Sequence, residues 1–434
     1  MYRSLAIVLF SISSIQSQNI KVYFNQSVDN SVSSITDANT SSYLDDTICS
    51  LINSANNTLD IAVWDNGSSK IITAINNAYT SGVQVRYISS TNSTNTALSG
   101  LNTNIPVLKR NASLNTNTMH NKFVIVDNLR LLTGSMNFGN GSIFDDYNNI
   151  VIISDVPLAQ NYTTEFNEMW GSLGALPNTS LSKFGPNKTD NTIHSFNISG
   201  TAVQSYFSPS DNTTAQIVNA INSADYSLDI ATFTFTNNDI GDAVVAAKNR
   251  GVNVRCIIEN VSYFGSEYNS LINSGINVLS HENTAMDFHH KYCIIDAVNT
   301  GSDPIVVTGS HNWTNSAEDD YDENTLIIHN GIIANQYMEE FTKRFAELGG
   351  VGVYDTKKDL SSKIYPNPSN GNFSIKSEKT NTCKIDVINF LGEIIYHLEN
   401  VKPAELLYLN LEKGLYFLQI ATEKTVNIEK IMIN

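Results

Sequence analysis

Apolar residues recur along this chain with two alternating periods. Ile48, Leu51, Ile52 and Ala55 stand at i, i+3, i+4 and i+7, one face of a helix. LDIAVW (59–64) then reads as a buried strand. Ile71, Ala74, Ile75 and Ala78 restore the helical spacing, Gly82 closes that helix where a left-handed residue is wanted, and Val83 to Ile88 reads as a further strand. The succession returns later as Ile217, Ala220, Ile221 and Ala224, then LDIATF, then Ile240, Ala243, Val244 and Ala247, then Gly251 and a strand over 252–258. Helices alternating with strands predict a sheet covered by helices on both faces.

The two passes are copies of one pattern. LINSANNTLDIAVW at 51 returns as AINSADYSLDIATF at 220, and TSGVQVRYI at 80 as NRGVNVRCI at 249, a constant offset of 169 (51 to 220). Each copy ends in a strand (NIVII, TLIIH) and a helix with aromatic anchors, Tyr162, Phe166 and Trp170 answered by Tyr337, Phe341 and Phe345 at an offset of 175 (162 to 337). The extra residues fall where AVNTGSDPIVVT replaces NLRLLT; Gly301, Asp303 and Pro304 mark a longer hairpin turn there. The expected fold class is α/β, two tandem α/β/α sandwiches related by a pseudo-twofold axis, over 18–175 and 195–350.

Both ends differ in character. MYRSLAIVLFSISSIQSQ sets Arg3 before the apolar run Leu5 to Phe10, the layout of a signal peptide over 1–17, and nothing later reads as a transmembrane helix. From 363 to 434, strand-like alternation between turn residues predicts a small antiparallel β-domain. At 434 residues, 41% hydrophobic and 16% charged, the chain is globular, and a net charge of −16 argues against broad adhesion to polyanions. Cys49, Cys256, Cys293 and Cys383 form no CxxC pair and read as buried free thiols, with a Cys256–Cys293 disulfide as the minor alternative.

The chemistry lies in MHNKFVIVDNLRLLTGSMNF (119–138) and its counterpart FHHKYCIIDAVNTGSDPIVVTGSHNW (288–313). Strand residues two apart face the same way, so His120 projects with Lys122 and His289 with Lys291. Asp127 and Asp296, at the strand ends, should point elsewhere and support the fold. Ser135 and Asn137, and Ser310 and Asn312, offer a hydroxyl and an amide to an anionic oxygen. A decayed repeat would keep its apolar core but has no reason to keep these polar groups twice. Brought together, they describe a phosphodiester site. One imidazole attacks phosphorus, the other protonates the departing alcohol, and the lysines and asparagines neutralise charge. Lysines beside each His would repel a metal cation, so neither metal nor cofactor is expected.

HNKFVIVD…GSMN and HHKYCIID…GSHN resemble the paired signature motifs of the phospholipase D superfamily over roughly 20–350. The resemblance implies paired α/β/α sandwiches with the site at their interface, His120 as nucleophile and His289 as acid/base. It also implies an acid downstream of each motif that orients its His. Glu323 fits that role for the second copy; the aligned residue in the first is Asn148, so Asp145 or Asp146 is expected to substitute, or that imidazole to be less polarised. The tail, with Tyr365 to Pro368, Gly414 to Tyr416 and Lys430 onward, resembles the C-terminal sorting domain of type IX secretion. The expected protein is a secreted or cell-surface monomer that meets phospholipid or a membrane surface and engages the secretion machinery through its tail. Nucleic acid is the alternative substrate, and a noncatalytic binding protein the alternative of another class. Tyr263, Phe264 and Tyr268 sit in a loop with no counterpart of similar character in the first copy; packing of that loop is expected, with an acyl or base pocket as the alternative.

Overall fold

The computed structural model describes residues 19–33, 36–111, 117–299, 301–350, 363–376, 382–389, 394–402, 405–421 and 426–434. The expected signal peptide lies outside these residues. Two compact units are present, 1–348 and 349–434.

In the first half of the larger unit the strands are β1 (Ile20–Phe24), β2 (Asn39–Thr40), β3 (Thr58–Val63), β4 (Gln84–Ser90), β5 (Val107–Arg110), β6 (Lys122–Val126), β7 (Arg130–Gly134) and β8 (Asn149–Ser154). The helices are α1 (Leu44–Asn53), α2 (Ser69–Thr80) and α3 (Val156–Trp170). The sheet order is β2-β1-β8-β7-β6-β3-β4-β5, parallel from β3 to β5 and antiparallel from β3 through β6, β7 and β8 to β1.

The second half repeats it with β9 (Ser195–Ile198), β10 (Thr201–Ser208), β11 (Ser227–Thr232), β12 (Asn253–Ile258), β13 (Asn277–Ser280), β14 (Lys291–Ile295), β15 (Ile305–Gly309) and β16 (Glu323–His329). Its helices are α4 (Thr213–Asn222), α5 (Asn238–Asn249), α6 (Tyr268–Asn273), α7 (Asn315–Asp319) and α8 (Gly331–Glu347), and its sheet order is β13-β12-β11-β14-β15-β16-β10-β9.

Strand alternation assigns the two faces of each sheet. Leu59, Ile61 and Val63 of β3 pack with Ile48 and Ile52 of α1 and Ile71 and Ile75 of α2. On the opposite face Phe123 meets Tyr162 of α3 edge-on, centroids 5.2 Å apart. That face also carries a buried ion pair in each half. Asp60 takes Arg86 through two bonds of 2.6 Å beneath the Phe166 ring, and Asp229 takes Arg255 through two of 2.7 Å beneath Phe341. Helix starts are fixed by side chains: Ser68 Oγ accepts from Ile71 N, and Asn237 Oδ1 from Ile240 N.

The halves meet through α3 and α8. Tyr162 packs on Phe207 at 4.8 Å, and its counterpart Tyr337 packs on Phe24 at 5.2 Å. Among the described residues no helix is long and apolar enough to cross a membrane. The smaller unit holds a three-stranded and a four-stranded sheet, built from strands between Lys363–Tyr365 and Val426–Ile433, around Phe373, Ile385, Val387, Leu418 and Ile431.

Candidate functional site at the junction of the halves

Lys122 opens β6 opposite Val63, the last residue of β3, so His120 lies at the carboxyl end of β3, where open α/β sheets place ligands. His289 occupies the same position against β11. Backbone bonds then thread the halves together. His120 N donates to Asp322 O (3.0 Å) and Asp322 N to Thr118 O (3.0 Å); His289 N donates to Tyr147 O (3.0 Å) and Tyr147 N to Asp287 O (2.8 Å).

This threading overturns one expectation. Glu323 serves not the His of its own copy but His120 of the other, 2.7 Å from Nδ1, because the segment entering β16 runs beside the segment entering β6. Asn148 crosses in return, its Oδ1 3.0 Å from His289 Nδ1. Asn148 Nδ2 donates to Ser142 O (3.0 Å) and Oδ1 also accepts from Ser135 Oγ (2.8 Å), so the amide oxygen is the atom facing the imidazole. Both rings therefore carry their proton on Nδ1 and leave Nε2 open. Neither Asp145, which is exposed, nor Asp146, whose carboxylate accepts from Ser142 Oγ, takes the orienting role.

A shared polar layer holds the crossing in register. Thr133 Oγ1 donates to Asn324 Oδ1 (2.6 Å) and Thr308 Oγ1 to Asn149 Oδ1 (3.1 Å); Tyr162 and Tyr337 add their hydroxyls to the same oxygens. Ser135 Oγ accepts from Asn149 N at 3.1 Å, and Ser310 Oγ from Asn324 N at 3.0 Å. The serines expected to meet a phosphate are thus turned into the fold. Ser135, which donates to Asn148 as well, has no proton left for a substrate oxygen. Asn137 and Asn312 differ: the amide oxygen of each is buried and accepts no hydrogen bond among the described residues.

Glu323 acts on three of the basic side chains, His120, Lys122 and Lys291, and His289 lies beside them. Lys122 Nζ donates to His120 O (2.6 Å) and Lys291 Nζ to His289 O (2.9 Å). Burial, partly offset by Glu323, lowers His120 to about 4 and Lys122 to about 7. Burial first, then Lys291, Lys122 and His120, hold His289 well below its ordinary value, and burial with repulsion from Lys122 does the same to Lys291. Burial pushes Glu323 up, but His120 and Lys122 outweigh it and keep the carboxyl ionised. Each imidazole is 8% exposed. A buried cluster that suppresses its own positive charges favours the approach of an anion.

Asp127 and Asp296 lie apart from this pocket, as their strand parity requires. Asp127 accepts the backbone N–H groups of Asn56, Asn57 and Thr58, and Asp296 those of Asp225, Tyr226 and Ser227, pinning the turn that enters β3 and β11. The four cysteines are free and buried, so no Cys256–Cys293 disulfide forms. Among the described residues the grouping with possible metal-ligand geometry is Asp190, His194 and Asp211, beside β10; His194 there already meets Asp190 at 3.0 Å and Ser205 O at 3.0 Å.

Sequence reasoning passed over the aromatic walls. Trp64 stands 5.6 Å from the His120 ring and Phe233, its counterpart, 4.8 Å from that of His289, with Lys291 Nζ 5.0 Å from the Phe233 centroid. The offset of 169 (64 to 233) was the available signal. Tyr321 completes the His120 side at 6.2 Å. Packing of the 263–268 loop holds for Tyr268, which lies against the second core, and fails for Tyr263 and Phe264, 55% and 97% exposed.

Residues 48–170 and 217–345, together more than half of the chain, match the family model described as cardiolipin synthase, PLD-like domain. Residues 363–434 match the secretion system C-terminal sorting domain, which marks the chain for secretion or the cell surface. Among curated proteins, the chain is 32% identical over 139 residues to a mitochondrial cardiolipin hydrolase of Chlamydomonas reinhardtii, covering 32% of this chain and 59% of that protein. It is 33% identical over 126 residues to that of Xenopus tropicalis, covering 29% and 57%. The chain thus spans somewhat under three-fifths of the length of these relatives. The solved phosphatidylserine synthase of Haemophilus influenzae shares the fold, with TM-score 0.51 and 14% identity over 70% of this chain and 84% of that one.

Proposed function

The chain belongs to the phospholipase D superfamily, and from that premise we propose that it is an exported phosphodiesterase that hydrolyses phospholipid head groups through a phosphohistidine. The observation that carries this reading is the pair of imidazoles, one from each half, held at Nδ1 by Glu323 and Asn148 and close enough together that Lys291, Lys122 and His120 all act on His289.

His120 acts as the nucleophile, because a carboxylate rather than an amide stands behind it. Its Nε2 bonds to phosphorus while the bond from phosphorus to the head-group oxygen breaks. The imidazole becomes cationic and Glu323 compensates the new charge. His289 gives the leaving alcohol its proton from Nε2. Burial and mutual repulsion depress both His289 and the lysines, so the entering diester anion is what restores their protons. Water then passes a proton to His289 and attacks phosphorus, breaking the P–N bond and releasing phosphatidic acid. Lys122, Lys291, Asn137 and Asn312 hold the nonbridging oxygens. Export and the acidic net charge of −16 favour lipid over polyanionic nucleic acid.

The test offers phosphatidylcholine, cardiolipin and plasmid DNA in parallel with chelator present, and repeats each with His120→Asn and His289→Asn. Lipid turnover lost in either variant supports the reading, and added ethanol should then divert product to phosphatidylethanol. DNA cleavage alone would replace lipid by nucleic acid as substrate. No turnover of any of the three would leave a binding protein.

A further inference from the structure

We propose that the loop 260–267 is a lipid-surface anchor, with Phe264 entering the interface of a bilayer beside the mouth of the site. The proposal rests on the phospholipid reading above and adds how the enzyme meets an aggregated substrate.

Phe264 is 97% exposed and Tyr263 55%, yet the loop that carries them is well tied. Ser266 N donates to Tyr263 O (3.0 Å), Glu267 N to Phe235 O (2.9 Å), and Ser262 Oγ to Glu282 (2.5 Å), while Gly265 takes a left-handed φ of 80° at the turn. A bonded loop that holds a phenyl ring in water spends apolar surface that packing could have covered.

The repeat sets the ring apart. In the first copy Asn95, buried with its amide bonded to Trp64 O and Ser89 Oγ, precedes the turn at Thr96–Gly100; in the second Glu267 precedes α6, and the stretch from β12 to it is longer and carries Tyr263 and Phe264 where the first copy has no ring. The loop also lies at the site. It leaves β12 at the sheet end that carries His289, and Asn260 N donates to the backbone oxygen of Phe233 (2.9 Å), whose ring stands 4.8 Å from that of His289.

Charge chooses the surface. Glu267 and Glu282 flank the loop, and the cations of the site, Lys122 and Lys291, are buried in the pocket. A single-stranded nucleic acid stacking on these rings would lack the basic track that such binding requires. A zwitterionic phosphatidylcholine surface meets no such repulsion, and an aromatic ring suits its interface.

Flotation of the full protein with phosphatidylcholine vesicles tests this. Wild type is expected to float and Phe264→Ser to lose roughly tenfold in bound fraction, with turnover of the soluble diester bis(p-nitrophenyl) phosphate unchanged. A Phe264→Trp variant should show vesicle-dependent fluorescence quenched by brominated acyl chains. Equal flotation of Phe264→Ser and wild type would overturn the proposal. So would a wild type that cleaves the soluble diester without floating, which leaves the reading of the site intact. Loss of single-strand DNA binding in Phe264→Ser, with vesicles ignored, would assign the ring to base stacking. Failure to cleave any diester, with flotation retained, would instead count against the phosphodiesterase reading alone.

Discussion

Glu323→Gln isolates the charge beneath His120 while preserving its shape. Glutamine can still accept from Nδ1 across the 2.7 Å contact, so the ring keeps its tautomer and orientation. What disappears is the negative charge that balances the imidazolium formed when Nε2 bonds to phosphorus. Unit charges about 4 Å apart at an effective dielectric near 20 interact by about 4 kcal/mol, which corresponds to roughly a thousandfold in rate if wholly expressed in the transition state. Loosening of that interaction by about a third through residual water still leaves roughly a hundredfold effect. Rapid-quench kinetics with a soluble diester separates the two steps: the burst that forms the phosphoenzyme should slow by about two to three orders of magnitude, and KM should change little. A burst rate within fivefold of wild type would refute the assignment of His120 as nucleophile. Slowing confined to the second, hydrolytic step would reverse the roles of the two histidines.

Other outcomes follow from the same geometry. Asn148→Asp sets a carboxylate 3.0 Å from His289 Nδ1 but turns an oxygen toward Ser142 O; the alkaline limb of kcat/KM should move up by about 1–3 pH units, at a stability cost of about 1–3 kcal/mol by urea unfolding. An unmoved limb would show that Asn148 does not act through His289. Dimethyl phosphate, a monoanion throughout, should raise Tm in proportion to its occupancy, and more so as pH falls from 9 to 7, because binding returns protons to Lys122 and its neighbours; a pH-independent gain would contradict the suppressed charges. In the unliganded protein His120 titrates near 4 against an ordinary 6.5, so the unfolded chain binds that proton first; its contribution to stability is whole above 6.5 and is lost as pH falls toward 4, measurable by comparing wild type with His120→Asn. Arg86→Met leaves Asp60 buried without its partner and should cost about 3–5 kcal/mol in chemical denaturation.

Much of this architecture was legible because duplication writes each essential group twice. The constant offset fixed the two sandwiches, and strand parity separated His120 and Lys122 from Asp127, whose carboxylate does bind backbone N–H groups outside the pocket. Parity and offset describe one copy at a time, however. They carry nothing about which half a side chain reaches when two sheets dock, and so they place Glu323 at its own histidine although the segment that enters its strand runs beside the one that carries His120. The serines of the Gly-Ser-x-Asn segments misled for a related reason: a hydroxyl suits a phosphate and a backbone N–H equally, and the N–H groups of Asn149 and Asn324 are nearer. Phe264 could not be placed either, since an apolar residue in a loop is normally taken to pack.

The exchange of orienting side chains between halves bears on how such a site can diverge. Were the protein assembled from two identical chains, any change to the residue behind one imidazole would appear behind both, and the pair would be bound to equal basicity. Fusion in a single chain removes that constraint, and the difference between Glu323 and Asn148 is its visible trace. Each ring's partner can drift alone, so specialisation of donor and attacker becomes a matter of one codon.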